Sequence, residues 1–231
     1  MNLRYASIVD FDADAYPPNR SAVIYLAGCP LNCRYCASPE LLNGSGFDEK
    51  PVEYFLGHLR SVRAATDAVV LTGGEPLMQG NALLELCKPL KQMGFRVRIE
   101  TSGYYPESLN DLLPYLDCVS MDLKGPLEKD ALAKACGFKG DPELLLSNVL
   151  RSLAFLEKRG QGVFKEFVIP VAKGLNDDYG TVEALAKYVA PFANTLVLKR
   201  VATEGFEPAT EEKMLELSVY AKRHVKDTVT G

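Results

Sequence analysis

The chain of 231 residues is poor in histidine, in membrane-length apolar runs and in excess positive charge. Lys and Arg number 26 against 30 Asp and Glu, a balance of −4 that argues against a general nucleic-acid binder. No apolar run approaches the roughly 18 residues that cross a bilayer, and the first ten residues lack the apolar core of a secretory signal. We therefore expect a cytoplasmic chain without membrane segments. In such a chain the six cysteines are metal ligands or core thiols rather than disulfides.

Alternating apolar runs and helical patterns predict the fold. The length suits one sizeable core, so we expect a single domain over 1–231, with a core at about 21–201 and a C-terminal extension at 202–231. The stretch 10–18, which is acidic and ends in two prolines, is expected to be a loop before the first strand. Strands are predicted at 21–27, 68–72, 95–100, 118–123, 163–169 and 194–201. Six strand–helix units are fewer than a closed barrel needs, which predicts an open, partial (β/α)6 TIM-like barrel of parallel strands.

Three cysteines follow the first predicted strand. Cys29, Cys33 and Cys36 have the spacing C-x3-C-x2-C, and Tyr35 directly precedes the last of them. Soft thiolates select zinc, copper(I) or iron–sulfur clusters. A saturated zinc site would need a fourth ligand, and the nearest later candidate is His58. Three ligands therefore indicate a metal centre with an open position. The other three cysteines share no short spacing and predict no second cluster.

Polar and glycine-rich motifs follow the later strands, at the strand ends where ligands of such sheets bind. Two adjacent glycines allow a close approach of the backbone, and the acidic and basic side chains supply charge beside it. The candidate residues at these ends are Gly73, Gly74, Glu75, Glu100, Thr101, Ser102, Asp122, Lys124 and Lys165. Asn176 follows the fifth strand and is either part of this set or an ordinary helix N-cap.

With these motifs, the chain resembles the radical S-adenosylmethionine (SAM) superfamily, from about residue 7 to residue 201. The resemblance implies that Cys29, Cys33 and Cys36 bind three irons of a [4Fe–4S] cluster and that the methionine part of SAM chelates the fourth. One-electron reduction of SAM then gives a 5′-deoxyadenosyl radical, which removes a hydrogen atom from the substrate. The fold implied is the same partial barrel.

The resemblance is greatest to the activating enzymes of glycyl-radical enzymes, of the type that serves anaerobic ribonucleoside-triphosphate reductase. It rests on the runs Cys36–Glu40, Glu100–Gly103 and Met121–Lys124. It implies a glycine of a partner protein as hydrogen donor and a flavodoxin or ferredoxin as electron donor. By the same resemblance Tyr35 packs beside the adenine, Gly73–Glu75 contact the SAM amino group, and Lys165 stands where activating enzymes carry an arginine that contacts SAM.

The resemblance also implies that the acidic and threonine side chains at the third and fourth strand ends hold a monovalent cation beside the SAM carboxylate. For Lys124 a salt bridge with Asp122 is an equally good interpretation.

Departures from the activating-enzyme pattern keep two alternatives open. Ala37 and Ser38 replace the usual His-Asn after the third cysteine, Lys165 replaces arginine, and extra residues separate Pro170 from Gly174. A radical SAM enzyme that acts on a small molecule, such as 7-carboxy-7-deazaguanine synthase, has the same outline. A non-catalytic zinc-binding module is the alternative from another class, and it leaves the later motifs unexplained.

Overall fold

The computed structural model describes residues 1–43 and 47–231 and contains one nine-stranded, mostly parallel sheet. The strands are β1 Asn2–Asp12, β2 Ser21–Leu26, β3 Asp48–Pro51, β4 Ala68–Gly73, β5 Arg96–Thr101, β6 Cys118–Asp122, β7 Phe164–Val171, β8 Thr195–Arg200 and β9 Thr228–Thr230. Their order is β3-β1-β2-β4-β5-β6-β7-β8-β9. The two outer strands do not pair with each other, so the sheet is an unclosed barrel, as predicted.

Helices connect the strands. They are α1 Glu40–Asn43, α2 Val52–Val62, α3 Gly80–Gln92, α4 Pro106–Leu112, α5 Lys129–Ala135, α6 Pro142–Arg159, α7 Tyr179–Val189 and α8 Glu211–Lys222. Side chains cap the last three, because Asp141 accepts from the backbone of Glu143 in α6, Asp178 from that of Thr181 in α7 and Thr210 from that of Lys213 in α8. In the described part of the chain, no helix combines the length and the apolar character needed to cross a membrane.

The six predicted strands are confirmed as β2 and β4–β8, which pair in parallel in chain order. Three further strands were not predicted. β1 runs antiparallel to β2 and β3, so the expectation of a loop over 10–18 was wrong for its first residues, which β1 includes as far as Asp12. β9 adds a short parallel strand beside β8. The sheet is therefore wider than six units.

The two faces of the sheet differ. Alternate residues of the central strands, such as Ile24, Leu71 and Phe167, are buried against the helices in the main core. The intervening residues face the concave side, where Val23, Val70 and Cys118 pack on Tyr16 from the loop after β1. Tyr16 thereby closes the end of the barrel at which β2 begins. The opposite end, where the parallel strands terminate, is left for the loops that carry the predicted motifs.

Candidate active site

The three motif cysteines lie on the irregular loop that follows β2. Cys29 and Cys36 are half-buried, Cys33 is buried, and none of them forms a disulfide. The backbone N–H of Cys36 donates to the carbonyl of Cys33 at 3.0 Å, which closes a turn between the last two cysteines. Among the described residues, no three Cys, His, Asp or Glu side chains are gathered closely enough to hold a single metal ion.

The protein environment shifts the pKa values of the three thiols in different directions. Burial raises the pKa of Cys29 to about 12 and also raises the pKa of Cys36. Hydrogen bonding with Cys136 lowers the pKa of Cys33 to about 7, despite its burial. The same hydrogen bond, together with burial, raises the pKa of Cys136. Cys136 was not predicted to lie here; it comes from the end of α5, a hundred residues along the chain.

The glycine pair after β4 packs against the start of the cysteine loop. The N–H groups of Gly74 and Glu75 donate to the carbonyls of Leu26 at 2.9 Å and Gly28 at 2.8 Å. A Cβ added to Gly74 would lie 2.2 Å from the Gly28 carbonyl oxygen, and one added to Gly73 would lie 2.3 Å from that of Leu26. The glycines thus permit a close approach between two protein backbones, whereas the sequence analysis explained them by the approach of a ligand.

Glu75 joins the β4 motif to the β5 motif. Its carboxylate is 1 % exposed and accepts hydrogen bonds from Thr101 Oγ1 at 2.7 Å, Ser102 N at 2.8 Å, Ser102 Oγ and Leu77 N at 3.1 Å. Burial raises the pKa of Glu75, and these four donors oppose that shift. The predicted residues Glu75, Thr101 and Ser102 are therefore brought together, and their side chains hold each other.

Asp122, Lys124 and Tyr35 form a second group beside the cysteines. Lys124 Nζ donates to Asp122 at 2.7 Å and lies 5.9 Å from the centre of the Tyr35 ring, whose hydroxyl donates to the Lys124 carbonyl at 3.1 Å. Burial alone would lower the pKa of Lys124, but the ion pair with Asp122 raises it well above its usual value. Lys124 is therefore a fixed cation. The Asp122–Lys124 salt bridge considered from the sequence is present.

Asn176 belongs to the same group. It has a positive φ of 51°, and its side-chain amide donates to the carbonyls of Lys124 at 3.2 Å and Pro170 at 2.9 Å. It thus ties the loop after β7 to the loop after β6. Because Asp178 caps α7, the interpretation of Asn176 as an N-cap was wrong.

The concave face carries a charged network that the sequence analysis missed. Arg98 Nη2 lies 2.6 Å from Glu166 and 3.2 Å from Glu100, while Thr72 and Ser120 donate to Glu100 and Glu166 at 2.8 and 2.7 Å. The alternation of Arg96, Val97, Arg98, Ile99 and Glu100 is the signal that could have revealed it. Glu100 is the outermost acid of this network and reaches the open end of the barrel.

Lys165 lies away from the other candidates. It is the second residue of β7, and its Nζ donates to the carbonyl of Gly160 at the end of α6 at 2.9 Å. Its neighbour Glu166 points to the concave face instead, since side chains alternate along a strand. The structure therefore does not bring Lys165 to the strand ends where the cysteines lie.

The C-terminal part of the chain covers the cysteine loop. The Phe206 ring packs edge-on to Tyr35 with centroids 6.2 Å apart, and the Arg34 guanidinium lies 5.5 Å from the Phe206 centroid. Lys173, after β7, contacts this segment: its backbone N–H donates to the carbonyl of Glu207 at 2.9 Å, and its Nζ pairs with the Glu207 carboxylate at 2.6 Å. The extension predicted at 202–231 therefore contributes an aromatic ring, Phe206, beside the cysteine loop.

Comparison with known proteins identifies the family. A profile of the radical SAM superfamily matches residues 23–186, which include all three cysteines and the motifs after β4, β5 and β6. The chain belongs to the radical SAM superfamily. The superfamily implies a [4Fe–4S] cluster and SAM as cofactors. Membership of this superfamily argues against the alternative of a non-catalytic zinc-binding module.

The relatives of this radical SAM protein carry two kinds of name. A Methanocaldococcus jannaschii protein named provisionally as a glycyl-radical enzyme activating enzyme is 26 % identical over 99 % of this chain and 96 % of its own. The 7-carboxy-7-deazaguanine synthase of the same organism is 26 % identical over 93 % of this chain and 89 % of its own. Among solved structures, QueE from Escherichia coli has a TM-score of 0.66 at 16 % identity and covers 100 % of this chain and 94 % of its own.

The residues present fit both cofactors. Three unpaired thiols on one loop are the donors that iron–sulfur clusters use, and no other cysteine in the described chain stands on that loop. The loop carries the aromatic ring of Tyr35 and is bordered by the Gly73–Gly74 turn, whose backbone is held against it, and by the ring of Phe206. Half-exposed carboxylates at the ends of β5 and β6 complete a polar rim that suits the charged methionine part of SAM.

Proposed function

We propose that this radical SAM protein activates a glycyl-radical enzyme by removing a hydrogen atom from a glycine of the partner protein. The observation that carries the proposal is the arrangement of the Glu100–Gly103 and Met121–Lys124 motifs. β5 and β6 pair in parallel with Thr101 opposite Met121, so both motifs end on the same side of the barrel. Glu75 and the Gly74 turn connect that side to the cysteine loop.

The roles of individual residues follow from this geometry. Cys29, Cys33 and Cys36 would hold the cluster, and Gly73, Gly74 and Tyr35 would border SAM. When bound, the cluster and SAM supply a 5′-deoxyadenosyl radical by one-electron reductive cleavage. Lys124 fixes Tyr35 and Asp122 through an ion pair and a hydrogen bond. Phe206 excludes water from the outer side of Tyr35.

A monovalent cation is proposed at the ends of β5 and β6. The carboxylates of Glu100 and Asp122 have side-chain exposures of 40 % and 39 %, so each keeps oxygens open to a ligand. Carboxylate and carbonyl oxygens are the hard donors that such ions prefer. The site would bring positive charge to the SAM carboxylate. Potassium titration monitored by calorimetry, with Asp122→Asn as the variant, tests the assignment; heat that is identical for both proteins would contradict it.

A protein substrate agrees with the open architecture. The outer strands β3 and β9 do not pair with each other, so the barrel is open on one side, where a loop of another chain could approach the site. The relative that matches nearly the whole chain carries an activating-enzyme name. We expect a flavodoxin or a ferredoxin to supply the electron, because the proposed reaction begins with a single-electron reduction.

The second candidate is a synthase of the 7-carboxy-7-deazaguanine type. It is supported by a relative of that name that matches 93 % of this chain. It would place a small, pterin-like ring in the barrel rather than a peptide. The charged network of Arg98, Glu100 and Glu166 would then line the substrate site from below.

Transfer of a label from the substrate separates the two candidates. The reduced, cluster-loaded protein is mixed with SAM and a peptide that contains the glycine loop of a glycyl-radical enzyme, deuterated at the glycine Cα. The proposal predicts deuterium in 5′-deoxyadenosine and none from the same peptide with the deuterium on a neighbouring alanine. Conversion of a reduced pterin to the deazaguanine, with no label from the peptide, would overturn the proposal in favour of the synthase.

A further inference from the structure

A row of polar side chains lines the concave face of the sheet. The register places Glu100 of β5 beside Ser120 of β6, and Ser120 beside Glu166 of β7. Thr72 of β4 extends the row on the other side, because its hydroxyl donates to Glu100 at 2.8 Å. Arg98 lies two residues before Glu100 on the same face of β5, since alternate residues of a strand share a face. Its guanidinium therefore reaches both carboxylates of the row.

Glu100 is held at both of its carboxylate oxygens. Oε1 accepts from Arg98, whose Nε and Nη2 lie 3.3 and 3.2 Å away, and Oε2 accepts from Thr72. A carboxylate offers about four acceptor sites, so Glu100 keeps free acceptor capacity. Its side chain is 40 % exposed at the open end of the barrel. Glu100 is therefore a fixed acceptor that faces the site.

Arg98 is fixed by partners of its own. Its Nη2 lies 2.6 Å from Glu166 Oε1, and the same oxygen accepts from Ser120 at 2.7 Å. Its Nη1 lies 3.6 Å from the Cys118 sulfur, and its side chain is 11 % exposed. A planar guanidinium serves several acceptors from one position, whereas a lysine ammonium is a point charge on a flexible stem. The contacts at this position therefore need the arginine fork as well as the positive charge.

We propose that Arg98 is a positioning residue, which together with Thr72 holds the Glu100 carboxylate ready for an electropositive group at the SAM site. That group is a hydroxyl of SAM or the monovalent cation proposed above, because both need the acceptor that Glu100 keeps free. The inference deepens the proposed function at Glu100 and rests on the contact of Glu100 with the bound cofactor or its cation. It holds equally for a peptide substrate and for a small ring.

The substitution Arg98→Lys separates position from charge. It keeps one positive charge between Glu100 and Glu166 but loses the fork that pairs with both carboxylates. A released glutamate side chain must give up its rotamer freedom when it binds. We therefore expect the dissociation constant for SAM to rise about five- to twentyfold.

Thr72 gives a second route to the same result. Thr72→Val removes the hydroxyl that holds Oε2 of Glu100 and should raise the SAM dissociation constant by a similar factor. Thr72→Ser keeps a hydroxyl at this position and should restore wild-type binding. Urea unfolding of the cluster-free variants shows separately how far each substitution lowers stability.

Calorimetry of SAM binding to the unreduced, cluster-loaded protein measures these effects without turnover. Arg96→Lys is the matched control and should bind like wild type, because Arg96 is exposed and lies two residues before Arg98 on the same face of β5. Glu100→Gln should bind SAM more weakly, and adding Arg98→Lys to it should weaken binding no further. A residue with a merely structural role would weaken binding in both backgrounds.

Each titration is repeated with potassium replaced by N-methylglucamine. A loss in Arg98→Lys that is confined to potassium buffer identifies the cation as the group that Glu100 holds, and a loss in both buffers identifies a SAM hydroxyl. Equal SAM affinity of wild type, Arg98→Lys and Thr72→Val would overturn the proposal, as would additive losses in the Arg98→Lys, Glu100→Gln double variant or a wild type that binds no SAM. Wild-type protein that binds SAM but takes no deuterium from the glycine peptide would contradict the proposed function alone, so the two failures are distinguishable.

Discussion

Replacing Gly74 by alanine should weaken the junction between the β4 turn and the cysteine loop. The added Cβ would lie 2.2 Å from the Gly28 carbonyl oxygen and 2.8 Å from its carbonyl carbon. Ordinary contacts begin at 3.4 Å, so one of the two backbones must move by about 1 Å. Both backbones are fixed, because Gly74 and Glu75 donate to Leu26 and Gly28.

The loss of stability follows from the hydrogen bonds that the movement breaks. A hydrogen bond contributes about 0.5–1.5 kcal/mol to the free energy of unfolding, and breaking it costs about 1–3 kcal/mol when a buried partner is left unpaired. The two bonds together give a loss of about 2–6 kcal/mol in the free energy of unfolding. For a chain of this size that corresponds to a fall of roughly 4–24 °C in melting temperature.

Gly57 provides the matched control. It lies in α2, and a Cβ at that position would meet nothing within 4 Å. Gly57→Ala should therefore stabilise the protein by about 0.5–1 kcal/mol through helix propensity. Urea unfolding of the reduced, cluster-free chain, followed by circular dichroism, compares both variants with wild type. If Gly74→Ala unfolds at the wild-type midpoint or above it, the explanation of the glycine pair is wrong.

Three other predictions concern the buried polar groups and the helix caps. Glu75→Gln replaces an acceptor of four hydrogen bonds by an amide that donates, and urea unfolding should show a loss of about 2–3 kcal/mol. Asp178→Ala should cost about 1 kcal/mol at neutral pH. Burial acts to raise the pKa of Asp178, but hydrogen bonds from the Thr181 side chain and from the backbone at the start of α7 lower it below 3.8, so its contribution is present above that pH and lost as the pH falls further. The cost of Thr210→Ala should not change over that range, and melting curves at several pH values compare the two. Arg98→Met leaves Glu166 without its cation and should cost about 3–5 kcal/mol, with a much smaller further loss on adding Glu166→Gln; additive losses would contradict the pairing.

The central strands could be predicted because the pattern that marks them lies within each strand's own sequence. Buried parallel strands are continuous apolar runs, and Val69–Leu71 and Phe167–Ile169 are such runs. β3 consists of Asp48–Pro51, a charged stretch whose pairing depends on β1 being alongside. β9 has only three residues, which is too short for a period to show. Two of the strands missed, β3 and β9, are therefore the outer strands of the sheet, which owe their conformation to neighbours; the third, β1, pairs with β3 on one side and β2 on the other.

In the candidate site, too, local sequence patterns could be predicted, whereas contacts between distant segments could not. The cysteine spacing is a local pattern, and it led to the family that the comparisons confirm. Contacts between distant segments could not be predicted: Cys136 reaches the cysteine loop because Asn32 donates to its carbonyl and Gly137, after the end of α5, lies against Asn32. Lys165 was assigned by its distance from Pro170, but strand alternation turns it towards α6 and turns Glu166 inward. Counting alternate positions along β7 would have shown that Lys165 and Glu166 face opposite sides of the sheet.

Cleavage of SAM tests the central claim most directly. The protein is reconstituted with iron and sulfide without oxygen, reduced with dithionite and given SAM, and 5′-deoxyadenosine is measured by chromatography. We expect product from wild type and from Cys87→Ser, and none from Cys29→Ala, Cys33→Ala or Cys36→Ala. A colourless protein that binds zinc and forms no 5′-deoxyadenosine, or product that persists without the three cysteines, would contradict it.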